Sequence, residues 1–335
     1  MILRKHVLIA VLLVVLAVVA IAGARWKHTE SNPSTPVVLK IGVSQTPLSA
    51  PLIIAQQRGL FAKYGVKVDV VPCYGGVECA RFLFEQNVDF ATASESVVMF
   101  ESFKRDDFVM LASFVESGFD LKLLTLAEND IYQISGLNGK KVGVVKASAS
   151  EFFLDSMLMS SDVPGTKVEK VYAPFTRLDD ILISGEVDAV SVWEPLGYQL
   201  QNNPRVDVVD LSIPGIYQLS FNLLTTRENV TRYQDESIRI LLALEEAEEW
   251  IQAHPLEVQK LVANYLNIPL GQLSWSWNDY IYRLSLGNGL LSNLQVQARW
   301  ALEKGLVTGP MPDYRNIVDR HILIQAQRRK GLEVK

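Results

Sequence analysis

The sequence predicts an α/β protein of two lobes, each a mainly parallel sheet flanked by helices, followed by a helical segment. Three observations predict it. From Val37 onward, short apolar runs alternate with helix-spaced stretches, the pattern of parallel sheets with right-handed crossovers. The order restarts near Lys141 after an extended run at Leu121–Ala127. Two stretches also echo each other: GGVECARFLFEQNVDFATASE (75–95) and PFTRLDDILISGEVDAVSVWE (174–194). Each reads as a helix, a polar turn ending in Val-Asp, a small apolar strand and a glutamate. Any α/β unit shares part of that pattern, so the echo alone leaves repeat and coincidence equally open.

The elements follow in order. Val37–Ser44 is a buried strand, and Pro51–Tyr64 a helix with Leu52, Ile53, Leu60 and Phe61 on one face. Val66–Val71, Val88–Ala93 and Phe108–Phe114 are strands, separated by helices over Gly76–Gln86 and Glu95–Lys104. After the restart, Lys141–Val145, Val168–Tyr172, Val187–Val192 and Val206–Leu211 are strands, with helices over Ala149–Ser160 and Phe175–Ile183. Glu236–Ala253 is a long acidic helix. More helices run to Arg328, broken at Pro255, Pro269, Gly287 and Pro310.

A chain of 335 residues has room for about two domains. Its apolar and charged fractions are those of a globular protein. A net charge of −5 and the lack of a basic stripe argue against nucleic acid as a partner. The first residues carry a positive end, Arg4-Lys5, then an unbroken apolar run from Val7 to Ala24 closing on Ala22-Gly23-Ala24. This fits either a cleaved signal peptide or a retained membrane anchor. Both export the remainder, because the positive end stays inside. Thr29–Pro36 reads as a tether.

Export permits a disulfide between Cys73 and Cys79, which flank a Gly-Gly turn, but two separate thiols are the favoured reading. Two cysteines and four scattered histidines form no metal-ligand cluster, and no cofactor motif is present.

One strand, Val187–Val192, ends on Trp193-Glu194-Pro195. An indole offers flat stacking area, a carboxylate accepts from N–H groups, and proline suits the first turn of a helix. The plainer alternative is a core tryptophan beside a helix start.

These residues also carry a resemblance. LKIGVSQTPLSAPLIIAQQRGLFAKYGVKVDVVPCYGG (39–76), NVDFATAS (87–94), LNGKKVGVVKASASEFFL (137–154) and GEVDAVSVWEP (185–195) stand in an order similar to that of substrate-binding proteins of nitrate, sulfonate, taurine and pyrimidine-type ABC importers. Ala147 replaces the family's usual glycine. The resemblance implies a type II periplasmic-binding-protein fold with a two-strand hinge near Leu121–Ala127 and Leu219–Thr225. It divides the chain into leader (1–24), tether (25–36), lobe one (37–124), lobe two (125–221), and a segment completing lobe one (222–335). It implies a periplasmic protein, anchored if the leader is retained, with a small-molecule ligand and an ABC permease as partners. It places the ligand against Thr46, Pro47, Leu48 and Ser49, against Gly75 and Gly76, against Ser94 and Glu95, against Ser148, Ala149 and Ser150, and against Trp193 and Glu194. Each loop has a plainer reading as a turn or a helix cap; Ser49 before Pro51 fits an N-cap well.

Glu78, Glu95, Glu116, Glu151 and Glu194 fall near the expected cleft, with only Arg81 and Lys146 basic nearby. That balance favours a nitrogen-bearing solute or an amino-sulfonate over a bare anion such as nitrate. Two other functions fit less well. A membrane-tethered sensor needs the leader retained. A pyrimidine-biosynthesis enzyme of this fold is disfavoured, because its cysteine-rich motif and any Ser-His-Asp set or P-loop are missing from the sequence.

Overall fold

The computed structural model describes residues 37–160, 163 and 165–333. The leader and the tether lie outside the described residues. Among the described residues, no helix is long and apolar enough to cross a membrane.

Among the described residues, eleven strands form two sheets. The first runs β2 (Lys67–Cys73), β1 (Val38–Ser44), β3 (Phe90–Ser94), β10 (Leu219–Thr226), β4 (Phe108–Ser117) and β11 (Tyr280–Ser285). The second runs β7 (Glu169–Tyr172), β6 (Lys141–Val144), β8 (Ala189–Trp193), β5 (Leu121–Leu126) and β9 (Val208–Asp210). Each sheet starts with three parallel strands in the order second, first, third. A strand arriving from the other lobe's side of the chain then pairs antiparallel with the third: β10 with β3, and β5 with β8. The two echoing stretches contribute β3 and β8, which hold equivalent places in the two sheets.

The strand sequences explain the layering. All five residues of β3 and all six of β5 are buried, as expected for strands covered on both faces. The apolar faces of helices 50–57, 95–102 and 234–253 supply the covering core of lobe one, with Ile54, Val98 and Leu241 fully buried. The second lobe adds a smaller cluster around Leu124, Leu178, Leu182 and Val190.

The chain passes between sheets at residues 118–120 and 211–218. Both passages precede the strands where the hinge was expected, because β5 lies wholly in the second sheet and β10 wholly in the first. Two elements also differ from expectation. The helix expected over Pro51–Tyr64 breaks at Gly59, whose φ of 67° starts a separate turn of helix at Leu60. β11 lies inside a segment read as all helix. Its alternation is visible afterwards: Tyr280, Tyr282 and Leu284 are buried, while Ile281 and Arg283 are exposed.

Candidate ligand-binding site

A cavity with about 380 Å3 of free space, its mouth included, lies between the sheets at the carboxyl ends of β1, β3 and β8. Open α/β sheets bind ligands at such ends. Its wall contains Thr46, Leu48, Gly75, Gly76, Ser94, Ser148, Ala149 and Trp193.

The first lobe supplies a turn and a helix start. Thr46 follows β1 and caps the short helix Pro47–Ser49, accepting from the Leu48 amide at 3.4 Å. Gly75 has φ 85° and donates its N–H to Ser44 Oγ at 3.1 Å. A Cβ at Gly75 would stand 2.9 Å from Trp193 Cζ2, and one at Gly76 would stand 2.8 Å from Ala93 Cα. Both positions therefore require glycine: the first to admit the indole, the second to let helix 76–84 start against β3. That helix has no side-chain cap, so its first amides are available at the cavity wall.

Cys73 and Cys79 are joined as a disulfide, with Cα atoms 5.4 Å apart and both side chains fully buried. This corrects the expectation of separate thiols. The turn at Gly75-Gly76 brings the first residues of helix 76–84 back over the end of β2, a proximity that the sequence spacing alone does not fix.

The second lobe supplies Ser148, Ala149 and Trp193. Ser148 Oγ donates to the Val145 carbonyl at 2.7 Å and accepts from the Ser150 amide at 3.2 Å. Trp193 is half-buried and stacks on Phe175, with ring centroids 4.5 Å apart and planes 10° from parallel.

Five expected contact residues are not on the cavity wall: Pro47, Ser49, Ser150, Glu95 and Glu194. Pro47 opens the short helix 47–49, Ser49 stands at the N-cap of helix 50–57 without a side-chain capping bond, and Ser150 accepts from the Val145 amide inside its own helix start. Glu95 is fully buried. It accepts from the Tyr217 hydroxyl, from Ser220 N and Oγ at 2.8 and 3.1 Å, and from Gln297 Nε2 at 3.0 Å. Burial pushes its pKa up against those hydrogen bonds. Glu194 Oε2 accepts from the Tyr198 amide at 2.9 Å, and burial raises its pKa to about 8. Pro195 sits at the cap of helix 196–201, after a cis peptide bond, rather than in its first turn.

The expected acidic cleft is corrected in the same way. Glu151 accepts from the Ala147 amide and from Tyr172 and pairs with Lys170, while Glu78 accepts from the Tyr74 amide. None of the five glutamates lines the central cavity. Glu78, Glu95, Glu151 and Glu194 instead bond to the chain around it.

A carboxylate that sequence reasoning missed does line it. Asp120, in the first passage between lobes, is 1% exposed. Its Oδ1 accepts from the Tyr280 hydroxyl at 2.9 Å, its amide donates to Ser117 Oγ at 3.1 Å, and its carbonyl accepts from the Glu194 amide at 3.1 Å. Burial raises its pKa to about 7, opposed by the Tyr280 hydrogen bond and by Lys122. The only sequence signal was an acidic residue directly before an apolar strand. Ser44, Leu121, Leu219 and Phe221 also line the cavity and were not anticipated.

The lobes touch on both flanks. Thr46 Oγ1 donates to the Glu194 carbonyl at 3.2 Å, and Gln272 Nε2 to the Pro195 carbonyl at 2.6 Å. On the other flank, Trp300 Nε1 donates to Asp155 Oδ2 at 3.0 Å, and Phe152 packs edge-on against Tyr217 and Trp300.

Two sheets of like strand order around a shared cavity define the two-lobed type II periplasmic-binding-protein fold. The chain belongs to the NMT1/THI5-like family, whose model matches residues 46–258, more than half of its length. It is 26% identical over 239 residues to a "Putative thiamine biosynthesis protein" of Haemophilus influenzae, covering 68% of this chain and 74% of that one. It is 26% identical over 260 residues to a "Putative aliphatic sulfonates-binding protein" of Bacillus subtilis, covering 76% and 77%. In fold it is similar to the alkanesulfonate-binding protein SsuA of Xanthomonas axonopodis pv. citri bound to MOPS, with TM-score 0.77, 17% identity, and 86% and 99% of the two chains covered. The desulfurization enzyme DSZB is similar in fold as well, with TM-score 0.65, 16% identity and 88% and 99% covered.

Proposed function

We propose that this chain is an exported solute-binding protein that captures a small nitrogen-bearing or sulfonate-type molecule between its lobes and delivers it to an ABC importer. The observation that carries the reading is the cavity. It joins an uncapped helix start at Gly76, hydroxyls at Ser44, Thr46, Ser94 and Ser148, and an indole at Trp193. The helix start and hydroxyls suit a sulfonate or carbonyl oxygen, at about 0.3–1 kcal/mol for the helix dipole. The indole suits a ring or an apolar stem, at about 1–3 kcal/mol for stacking. The indole supplies apolar contact, and the polar groups orient the solute.

The relatives support the ligand classes: one is named for aliphatic sulfonates and another for thiamine biosynthesis. Capture is favoured over catalysis because the Thr46 and Ser148 hydroxyls donate to backbone carbonyls rather than to a base that would activate them.

A thermal-shift screen tests this with pyrimidines, thiamine precursors, taurine, alkylsulfonates, polyamines, nitrate and bicarbonate. A solute at a hundred times its dissociation constant adds about 2.7 kcal/mol of stability. Stabilisation by one member of the panel without chemical turnover is expected. Stabilisation by none, or conversion of a solute to product, overturns the reading.

A further inference from the structure

Most polar groups on the cavity wall are hydroxyls or backbone amides. Asp120 differs: it is the carboxylate on that wall, and its Oδ2 is buried with no hydrogen-bond partner among the described residues. Its other polar atoms are all engaged, Oδ1 by Tyr280, the amide by Ser117 and the carbonyl by Glu194. Lys122 lowers the Asp120 pKa from a distance but forms no salt bridge with it; its Nζ donates to the Phe119 carbonyl at 2.7 Å. A buried acceptor left without a donor is costly, and a ligand donor placed beside it removes that cost.

We infer that Asp120 is the subsite for an N–H or ammonium donor on the solute, whose oxygen acceptors meet the helix start at Gly76 on the same cavity wall. The solute is then bifunctional, with both oxygen acceptors and a nitrogen donor. An aminoalkylsulfonate and an aminopyrimidine share this chemistry. The inference rests on the solute-binding reading above and narrows it.

The position of Asp120 gives the contact a second consequence. It lies in the passage between lobes, its carbonyl is bonded to Glu194 of the second lobe, and its Oδ1 is bonded to Tyr280 of the first sheet. A donor bound at Oδ2 touches the one segment of the wall that belongs to both lobes.

Isothermal titration of the full chain, purified in detergent, tests this with two matched pairs. These are taurine against ethanesulfonate, and 4-amino-5-hydroxymethyl-2-methylpyrimidine against its desamino analogue. In at least one pair the donor-bearing member is expected to bind roughly ten- to a hundredfold tighter, the span of one hydrogen bond to a charged group. Asp120→Asn is expected to bring that ratio close to one. A merely structural role would weaken both members alike and leave the ratio unchanged.

Equal affinity within each pair, or an unchanged ratio in Asp120→Asn, overturns the inference while the solute-binding reading stands. Binding of nitrate or bicarbonate alone does the same. Binding of none of the panel overturns both. Should Asp120→Asn not fold, the native chain provides a second measurement. The taurine-to-ethanesulfonate ratio must fall as pH drops below about 7, where burial places the Asp120 carboxyl among Lys122, Glu194, Asp279, Tyr280 and Tyr282. A ratio flat between pH 5.5 and 8 overturns the inference, with the pH range set at about 1.5 below and 1 above that value.

Discussion

Thr46 donates its hydroxyl to the backbone carbonyl of Glu194 at 3.2 Å, joining the loop after β1 in one lobe to the strand end of the other. Both groups are buried, so the bond is shielded from water. Thr46→Val keeps the shape and removes the donor. It is expected to weaken solute binding by about 0.5–1.5 kcal/mol. Most of the loss should appear as faster dissociation, because the bond forms only when the lobes meet. Stopped-flow release kinetics check this; an unchanged off-rate would show that the bond does not hold the lobes together.

Trp193 and Gly75 form a second matched pair. The indole fits only because residue 75 lacks a Cβ, which would stand 2.9 Å from the ring. Trp193→Ala is expected to weaken binding by about 1–3 kcal/mol. Gly75→Ala should also weaken binding, by displacing the ring and by placing alanine at φ 85°. In the double variant the two losses should not add, since the clash disappears with the indole. A double-mutant cycle on affinity reads the difference, and strict additivity would place the two residues in separate roles.

Three buried carboxyls predict how stability follows pH. Burial raises Asp120 to about 7, Glu194 to about 8 and Glu248 to about 9, from ordinary values of 3.8, 4.5 and 4.5. Between those values the folded chain holds protons that the unfolded chain has released. Their stabilising contribution is full below about pH 4 and is lost as pH rises through 7, 8 and 9. Glu248 Oε2 accepts from the Leu284 amide, while Oε1 has no partner among the described residues. Glu248→Gln keeps an acceptor for Leu284 and cannot ionise. Melting curves should show its advantage over the native chain growing from pH 6 to pH 9; a constant difference would refute the assignment.

The disulfide fastens the end of β2 to helix 76–84, around the glycine turn at the cavity. Closing so short a loop stabilises by about 2 kcal/mol in the chain-entropy account. Replacing both cysteines by serine should lower stability by about that amount, read from urea unfolding. Affinity should fall too, because the turn that positions the first amides of the helix loses its fastening. Unchanged affinity would show that Gly75 and Gly76 hold the turn without it.

The sequence was most informative where backbone geometry leaves few choices. Gly75-Gly76, Ser94 and Trp193 stand at strand ends or helix starts, and such ends can be located from apolar periodicity alone. Side-chain partnerships were not legible in the same way. Glu95 and Glu194 occupy the expected strand ends, yet the Glu95 carboxylate bonds to Tyr217 and Ser220, brought near by another element, and that of Glu194 turns back onto the Tyr198 amide of the following helix. Asp120 escaped notice for the converse reason. Its importance comes from Tyr280, 160 positions away, and from a cavity that exists only when both lobes are assembled. β11 was missed because six alternating residues carry little signal between helical neighbours.

β3 and β8 hold the same place in their sheets, and each delivers its last residue to the cavity: Ser94 from one, Trp193 from the other. One topological position thus carries two chemistries, a hydroxyl that caps a helix and an indole that lines the cavity. Both residues hold their places in the sheets through backbone pairing, with Phe221 and Leu121, which does not depend on the side chain. A lineage can therefore retune what the cleft accepts by exchanging strand-terminal residues, independently on each side, while both sheets remain as they are. Divergent selectivity on an unchanging frame follows from that division between terminus and interior.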